Sequence, residues 1–483
     1  MIKSSDQAIR KLLQIGVSKG YIDPLDVILK QNQLLQVLKK DSLRTDETLP
    51  SELPEAKKLF PLLLADAIEH GVITDTITER AILSAQIMAI ITPDTSVVNR
   101  TFWDLYKEKP QAATDWFYEL SQVNDYIQTE AIAKNIAFDY ESDYGTLELT
   151  INLSKPEKDP KAIAAALTTE SVHYPLCQLC MENEGYKGTL THPARANHRI
   201  VRFPLDGETW GLQYSPYAYY TEHCIFLSEE HRPMRIEEKT FQNLFGIVEK
   251  FPHYFVGSNA DLPIVGGSIL SHEHYQGGRY TFPMNEADVK ETFVLADFPT
   301  VSFGIVAWPM SVIRMECLDK EALTKAAVYI LEQWRGYSDE AAEIIAESDG
   351  TPHNTITPIA RRNGDTFVCD LVLRNNRTSD EHPDGIFHPH RDVQHIKKEN
   401  IGLIEVMGLA ILPPRLKDEL TEVEKYVAGE TSQIADMHRD WADEICESGE
   451  TVENATGAVF QRVLEDAGVY KDLAAFKRFT SSL

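Results

Sequence analysis

Residues 266–278 read Gly-Gly-Ser-Ile-Leu-Ser-His-Glu-His-Tyr-Gln-Gly-Gly, a polar stretch framed at both ends by glycine pairs. Because successive side chains of a strand point to opposite faces, His272, His274 and Gln276 would share one face of a strand. The glycines let a backbone approach a ligand closely, which a phosphate needs and a packed strand does not. This stretch therefore predicts a strand that carries a binding site.

The composition describes a globular chain with a strongly negative charge. It has 483 residues, of which 43% are hydrophobic, enough for two or three domains with a substantial core. A net charge of -27 would repel nucleic acids and anionic membranes. No apolar run reaches transmembrane length, the first residues become charged too early for a signal peptide, and six cysteines are too few for a disulfide scaffold. We expect a cytoplasmic protein without a nucleic-acid or membrane partner.

Hydrophobic periodicity divides the chain into three parts. Apolar residues recur at helical spacing from the N-terminus to about residue 140, and they do so again from Pro413 to Leu483. Between these parts, Leu147, Leu149 and Ile151 alternate with polar residues, and short apolar segments, among them 223–227 and 366–373, follow with turn signals between them. This pattern predicts an α+β fold, in which a largely antiparallel sheet lies between N- and C-terminal helical layers. The N-terminal helices show no polar constellation, which favours a covering layer over a site.

Cys177-Gln178-Leu179-Cys180 is the second informative motif. Two thiolates at this spacing can hold one zinc ion from a tight turn, but a single CxxC motif supplies only half of the ligands. His231 and His272 would complete a tetrahedral Cys2His2 site that is closed to water, the arrangement of a structural zinc. The alternative is a redox pair or two ordinary thiols with surface histidines, and the spacing alone does not choose between them.

His274 is then the histidine left for chemistry. Its unperturbed pKa of about 6.5 leaves a neutral imidazole available near neutral pH, and such a ring can attack phosphorus through one nitrogen if the other donates to a fixed carbonyl. Gln276 and Ser268 could donate hydrogen bonds to nonbridging phosphate oxygens, and the neutral amide would orient the phosphate without charging the site. A lone histidine is more often a satisfied core residue, but this cluster within a glycine frame favours function.

These motifs resemble those of the galactose-1-phosphate uridylyltransferase family in the histidine triad superfamily. The resemblance is carried by residues 272–276, by the CxxC motif upstream and by His231 between them. Residues 251–263, Phe-Pro-His-Tyr-Phe-Val-Gly-Ser-Asn-Ala-Asp-Leu-Pro, and 395–408, His-Ile-Lys-Lys-Glu-Asn-Ile-Gly-Leu-Ile-Glu-Val-Met-Gly, are similar to the bacterial type 2 branch of that family. The resemblance spans most of the chain.

The resemblance implies histidine-triad-like domains in tandem, with sheets that are largely antiparallel. The first, residues 1–235, would hold a helical lead-in to about residue 140 and then the strands of the zinc ligands. The second, residues 236–483, would hold the nucleophile motif, the residues that face the sugar and a helical tail.

The resemblance also implies roles for single residues. The second histidine of the family's His-x-His-x-Gln motif becomes uridylylated, which implies that His274 is the nucleophile and that Gln276 contacts the phosphates. A glutamate that receives sugar hydroxyls falls on Glu405. The zinc ligands of metal-bearing members fall on Cys177, Cys180, His231 and His272. Glu273 stands where the type 1 branch has a proline, and a carboxylate beside the nucleophile could raise its pKa, so the orientation of that carboxylate matters.

Further polar residues are candidates for binding the substrates. Asn197 and Arg199 follow soon after the CxxC motif and combine an amide with a guanidinium, which favours the nucleotide side of the site. Asn259 and Ser268 are the candidates from the matching segment and the glycine-rich run. Basic residues that could meet the phosphates, or be ordinary solvated charges, are Arg195, Arg199, Lys397 and Lys398. The polar loops 374–377 and 388–390 could line a sugar pocket, but such loops need no ligand to exist.

The implied reaction is the transfer of uridine monophosphate between sugar phosphates. A UDP-glucose:hexose-1-phosphate uridylyltransferase would convert galactose 1-phosphate and UDP-glucose into UDP-galactose and glucose 1-phosphate through a uridylyl-histidine, in ping-pong order, as a step of galactose metabolism. The resemblance also implies a structural zinc ion and a homodimer. Two alternatives stay open: a histidine triad nucleotide hydrolase or phosphorylase with the same intermediate, and a non-catalytic, zinc-stabilised protein that binds nucleotide sugars.

Overall fold

The computed structural model describes residues 2–154, 174–267 and 269–483 of the chain. Its α-helices are α1 Ser5–Ser18, α2 Val27–Val37, α3 Phe60–Glu69, α4 Ile77–Ile91, α5 Thr95–Glu108, α6 Pro110–Val123, α7 Thr129–Ile132, α8 Glu238–Lys250, α9 Pro283–Glu286, α10 Lys320–Gly336, α11 Leu403–Val406, α12 Leu416–Val427, α13 Arg439–Ser448, α14 Val452–Ala467 and α15 Leu473–Ser482. Its strands are β1 Ile136–Ser142, β2 Gly145–Ile151, β3 Val201–Leu205, β4 Glu208–Tyr214, β5 Cys224–Ser228, β6 Phe255–Gly257, β7 His274–Gly278, β8 Val289–Phe293, β9 Ser302–Val306, β10 Val312–Cys317, β11 Glu347–Ser348, β12 Thr351–Pro352, β13 Asn354–Asn363, β14 Thr366–Asn375 and β15 Leu409–Leu412.

Ten of these strands form one sheet, in the order β3-β4-β5-β7-β6-β13-β14-β10-β9-β8. Every pair of neighbours in it is antiparallel. One half of the sheet comes from residues 201–278 and the other from residues 289–375, and the halves meet where Val256 of β6 pairs with Ala360 of β13. The expected α+β class with a largely antiparallel sheet is therefore confirmed. Because β5 pairs with β7, this sheet joins strands from both sides of the predicted domain boundary between residues 235 and 236, and that boundary stays a prediction.

Apolar packing behind β7 sets the direction of its side chains. Trp210 of β4 stacks on Tyr275 of β7, with ring centroids 5.1 Å apart and ring planes 9° apart. Phe226 of β5 is paired with Tyr275, and all three side chains are buried in one core. Since side chains alternate along a strand, the burial of Tyr275 turns His274 and Gln276 to the opposite face.

The N-terminal helices form a covering layer in two parts. The helix α1 is capped by Ser4, whose hydroxyl accepts from the backbone N–H of Gln7, and it shares a separate core with α2, α3 and α4. The helices α5 and α6 instead bury Phe102 and Phe117 in the core of the large sheet. No single helix among the described residues is long and apolar enough to span a membrane; α4 and α5, bent by 59° at the break between them, pass that test only as a pair.

The C-terminal helices pack on a smaller sheet of order β1-β2-β15. There β15 pairs in parallel with β2, so that residues 409–412 lie beside residues 148–151. The helix α14 approaches β1 closely, because its Gly457 has no side chain to keep it from the ring of Tyr140. Helices therefore cover both ends of the fold, as the periodicity predicts.

Candidate active site

His274 is the first residue of β7, and its imidazole is buried. Its Nδ1 lies 2.7 Å from the backbone carbonyl oxygen of His272, to which an Nδ1–H group donates. Burial lowers the pKa of His274 to about 4, so the ring is neutral at neutral pH and its lone pair is on Nε2. Within the described residues, the ring makes its one hydrogen bond through Nδ1 and none through Nε2. A neutral ring with one nitrogen tied to a carbonyl and the other free is what a nucleophile requires.

Gln276 lies two residues further along β7, between Ile225 of β5 and Gly257 of β6. Its side chain is partly exposed, and its Oε1 lies 2.9 Å from Nε2 of His223. The amide nitrogen of Gln276 makes no hydrogen bond among the residues that the structure describes. His274 and Gln276 thus share one face, as strand periodicity predicts, whereas their roles in binding and chemistry stay predictions.

Glu273 is turned away from His274. Its Oε2 pairs with Nε of Arg232 at 2.5 Å, and its Oε1 accepts from the hydroxyl of Tyr275 at 2.7 Å. Arg232 continues to Glu208, with a nitrogen-to-oxygen distance of 2.6 Å. The carboxylate that replaces the proline of the type 1 branch therefore belongs to an ion-pair network on the opposite face of the strand.

Four predicted metal ligands meet in one cluster, although 95 residues separate Cys177 from His272. Their ligand atoms all lie within 4.8 Å of one another. Cys177 Sγ lies 3.5 Å from Cys180 Sγ and 3.3 Å from His272 Nδ1, and Cys180 Sγ lies 3.1 Å from His231 Nδ1. In a zinc tetrahedron with bonds of about 2.3 Å to sulfur and about 2.0 Å to nitrogen, such atoms would be roughly 3.3–3.8 Å apart. The donor set and its spacing fit a tetrahedral metal ion.

The surroundings of the cluster also orient its ligands. Nε2 of His272 lies 2.8 Å from the carbonyl oxygen of Ser228, so an Nε2–H donates there and Nδ1 keeps its lone pair toward the sulfurs. The amide of Asn183 donates to the carbonyl oxygens of Cys177 and Cys180, at 2.8 Å each, and shapes the turn between the thiols. Sulfur and imidazole ligands without a carboxylate are typical of a structural metal site.

Asn197 and Arg199, the predicted nucleotide-side residues, lie just before β3 with their side chains held by backbone groups. The Asn197 amide donates to the carbonyl oxygen of Asn124 at 2.8 Å, and the Asn124 amide donates back to the Asn197 carbonyl at 2.8 Å. The Arg199 guanidinium donates to three backbone carbonyl oxygens at 2.8–3.0 Å. Side-chain contact with a nucleotide would require these bonds to exchange, and the role of both residues stays a prediction.

Asn259 and Glu405, two predicted substrate-side residues, meet at the start of α11. Asn259 Oδ1 accepts from the first backbone N–H of that helix at 2.9 Å. Glu405 Oε2 accepts from the backbone N–H of Gly402 at 3.2 Å, and its Oε1 accepts from Lys397 Nζ at 3.0 Å. Lys397, predicted as a phosphate partner, is therefore the ion-pair partner of Glu405, the carboxylate predicted to face the sugar. Ser268 lies outside the described residues.

The polar loops contribute unequally to this region. Arg374 is buried and donates to the carbonyl oxygen of Ile401 at 2.8 Å. Burial lowers the pKa of Arg374 to about 10, although the nearby Glu405 carboxylate raises it. Burial and the nearby Arg374 guanidinium lower the pKa of His388, whereas His390 pairs with Asp466 at 3.5 Å.

The other two basic candidates lie elsewhere. The guanidinium of Arg195 stands over the ring of Tyr126, 5.5 Å from its centroid. Lys398 borders an open groove of about 1060 Å³ in the C-terminal helical layer. Neither residue is brought to β7 by the contacts in the structure.

His223 is the residue near the candidate site that sequence reasoning missed. It is buried directly before β5 and contacts Gln276 through Nε2. The strand-like segment 223–227 was recognisable, but a lone histidine at its start carries no motif. Only the antiparallel register of β5 and β7, which pairs Cys224 with Gly277, brings it beside Gln276.

Two family models cover most of the chain. "Galactose-1-phosphate uridyl transferase, N-terminal domain" matches residues 21–233, and "Galactose-1-phosphate uridyl transferase, C-terminal domain" matches residues 247–443. A galactose-1-phosphate uridylyltransferase of Streptococcus pneumoniae (strain Hungary19A-6) is 53% identical, over 98% of this chain and 98% of its own. A relative of the same name from Pediococcus pentosaceus is 56% identical, over 95% of this chain and 96% of its own.

A solved structure of yeast Ap4A phosphorylase Apa2 aligns with 72% of this chain and 97% of its own, at 10% identity and a TM-score of 0.37. That likeness is too low to carry a conclusion. The family matches and the identities over nearly full length do carry one. The chain belongs to the galactose-1-phosphate uridylyltransferase family.

Proposed function

We propose that this chain is a UDP-glucose:hexose-1-phosphate uridylyltransferase of galactose metabolism that works through a uridylyl intermediate on His274. The observation that carries the proposal is the geometry of that ring: it is buried, tied through Nδ1–H to the carbonyl of His272, and without a hydrogen bond at Nε2 among the described residues. The names of the relatives, at more than half identity over nearly the whole chain, support the choice of substrates.

In the first half-reaction, Nε2 of His274 attacks the α-phosphorus of UDP-glucose. A phosphorus–nitrogen bond forms, the bond to the bridging oxygen breaks, and glucose 1-phosphate leaves with that electron pair. The ring becomes positive, and its Nδ1–H continues to donate to the His272 carbonyl, which stabilises the charge. A phosphate is a good leaving group, so no general acid is required.

In the second half-reaction, a phosphate oxygen of galactose 1-phosphate attacks the same phosphorus. The phosphorus–nitrogen bond breaks, its electron pair returns to Nε2, and UDP-galactose leaves. The ring is again neutral, so one site serves both steps in ping-pong order. Gln276 would donate its amide N–H to a nonbridging oxygen of the phosphate and so hold the phosphorus in line with Nε2.

Zinc is the metal that we propose for the cluster of Cys177, Cys180, His231 and His272. When bound, it supplies structural cross-linking and no chemistry of its own to the transfer, because four protein ligands leave no open position. The ligand His272 also provides the carbonyl that holds His274 Nδ1–H. Holding His272 in place therefore holds the direction of the His274 ring.

The remaining site residues are assigned from their positions in the fold and from the family resemblance. We assign Glu405 to the sugar hydroxyls, with Asn259 beside it, because both meet at the start of α11. We assign Asn197 and Arg199 to the nucleotide side, and Ser268 to a phosphate oxygen, on the family resemblance alone. A cytoplasmic location and a homodimer belong to the same proposal, and light scattering on the purified chain measures the oligomeric state.

Incubation with UDP-glucose that carries radiolabel in the uridine tests the proposal. We expect label on the denatured wild-type chain, its position at His274 by mass spectrometry, and release of one glucose 1-phosphate per label. The variant His274→Asn should take no label, whereas the exposed-histidine control His70→Asn should label like the wild type. Persistent labelling of His274→Asn would reject this nucleophile.

The same labelled protein separates the alternatives. A transferase holds the label for long periods in water and loses it when galactose 1-phosphate is added, because the site excludes water. Rapid loss in buffer alone would instead identify a hydrolase, and loss to inorganic phosphate a phosphorylase. A protein that only binds nucleotide sugars would release no glucose 1-phosphate.

A further inference from the structure

His223 and Gln276 form a hydrogen-bonded pair, and Gln276 lies on the same face of β7 as His274. Nε2 of His223 lies 2.9 Å from Oε1 of Gln276, and His223 is only 3% exposed. The contact follows from strand pairing, since the backbone of β5 next to His223 is held against β7 by the pairing of Cys224 with Gly277. The residue therefore reaches Gln276 from a neighbouring strand and not from the His-x-His-x-Gln motif itself.

Two tyrosines hold the plane of the His223 ring. The ring of Tyr220 lies 4.6 Å away at 32°, and the ring of Tyr219 lies 5.3 Å away at 28°, both measured between centroids. The hydroxyl of Tyr220 donates to the carbonyl oxygen of Gly277 at 3.1 Å, which ties the tyrosine to the strand that carries Gln276. The imidazole consequently has little freedom to turn relative to that amide.

The position of the proton on His223 follows from its surroundings. Burial lowers the pKa of His223 to about 4, so the ring is neutral and carries one N–H. Nδ1 is buried and has no hydrogen-bond partner among the described residues. A buried N–H without a partner is costlier and rarer than an unpaired acceptor, so the proton belongs on Nε2, where it is donated to the Oε1 of Gln276.

We propose that His223 is a positioning residue that fixes which end of the Gln276 amide meets the phosphate. With Oε1 bound to the Nε2–H of His223, the NH2 group is the end left to face the substrate. This inference rests on the proposed function, because it concerns the donor to the phosphate oxygen. Without His223 the amide could rotate by half a turn and present its oxygen to the phosphate, which repels it.

The phenylalanine variant His223→Phe removes the donor and keeps a ring in contact with the two tyrosines. Removing one donor to a developing charge costs about 10²–10³ in rate, and loss of its orientation alone should cost about tenfold. We expect the single-turnover rate of uridylylation by UDP-glucose to fall about tenfold. The variant His223→Gln keeps an N–H of similar reach and should stay within about threefold of the wild type.

Combination with Gln276→Ala distinguishes a positioning role from a structural one. If His223 acts through that amide, His223→Phe should change the rate less than about twofold in the Gln276→Ala background. His438 is a matched control, because it is equally buried, donates Nε2–H to Glu419 at 2.9 Å and has an unpartnered Nδ1, but lies in the C-terminal helical layer. His438→Phe should lower the melting temperature without lowering the rate of labelling.

Four results would overturn the inference: labelling of His223→Phe at the wild-type rate, the same tenfold loss in the Gln276→Ala background, an equal loss of rate in His438→Phe, or a tenfold loss in His223→Gln. The glutamine variant keeps the test decisive if the phenylalanine variant does not fold. Failure of the proposed function gives a different result, since the wild-type chain itself would then take no label on His274.

Discussion

A methyl group added at Gly277 should damage both the stability and the activity of this protein. Gly277 lies in β7 between Cys224 of β5 and Val256 of β6. A Cβ atom built there would lie 2.6 Å from the carbonyl oxygen of Phe255 and 2.9 Å from the ring of Phe226. Real Cβ contacts do not go below 3.0 Å, so β6 and β7 would have to separate by at least 0.4 Å, the difference of 3.0 and 2.6 Å.

The size of the effect follows from the kind of atom in the way. A backbone oxygen in the middle of a sheet cannot turn aside as a side-chain end can, and overpacking of this sort costs about 1–3 kcal/mol. The lower entropy of the unfolded Ala variant offsets about 0.4–1 kcal/mol of this cost, and subtracting the midpoints of the two ranges leaves a net loss of about 1.3 kcal/mol. A misplacement near 1 Å can cost about 100-fold in rate, so a shift of this smaller size next to Gln276 should cost about tenfold.

Urea unfolding, followed by tryptophan fluorescence, measures the first effect, and single-turnover labelling of His274 measures the second. The control is Gly336→Ala at the end of α10, where a Cβ would meet nothing within 4 Å. That variant should be as stable as the wild type or up to about 1 kcal/mol more stable. A Gly277→Ala variant with unchanged unfolding free energy and labelling rate would refute this account of the packing around β7.

Three further predictions concern the buried charges and the metal. Asp370 is buried between two arginines at 2.6 and 2.7 Å, so Asp370→Asn should cost about 3–5 kcal/mol of unfolding free energy in urea. Burial alone would raise the pKa of Asp370, but the two guanidiniums lower it below its ordinary value. The stability that this carboxylate contributes is therefore present above the unfolded pKa of about 3.9 and lost as the pH falls below that value. Acid unfolding of Asp370→Asn should lack this dependence. Mass spectrometry of the metal content should find one zinc per chain, lost in Cys180→Ser and kept in the exposed-thiol control Cys446→Ser; a zinc-free, fully active wild type would exclude the structural role. Glu273→Gln should lower the unfolding free energy by about 1–2 kcal/mol, because Arg232 is partly solvated and keeps its ion pair with Glu208. The same variant should change the labelling rate less than threefold. A large loss of rate would mean that the carboxylate acts on His274.

The element pattern was largely accessible from the sequence. The alternation at Leu147, Leu149 and Ile151 corresponds to β2, and the segment 366–373 to β14. The strand β13 was not predicted, because Pro358 lies in its middle and a proline argues against an internal strand. In the structure Pro358 contributes its carbonyl oxygen, which accepts from Ser258 N–H at 3.0 Å, and pairing with the short β6 involves only the two residues that follow it.

Local sequence spacing accounts for the features of the site that involve neighbouring residues. A two-residue period puts His274 and Gln276 on one face of a strand whatever surrounds it, and a three-residue step brings two thiols to one turn. The contacts that these groups make with distant residues arise only in the folded chain. These contacts are the approach of His231 and His272 to the thiols, the turn of Glu273 toward Arg232 and the contact of His223 with Gln276. They depend on the register between strands and on core packing. Both are set jointly by residues far apart in the chain, so no short stretch encodes them.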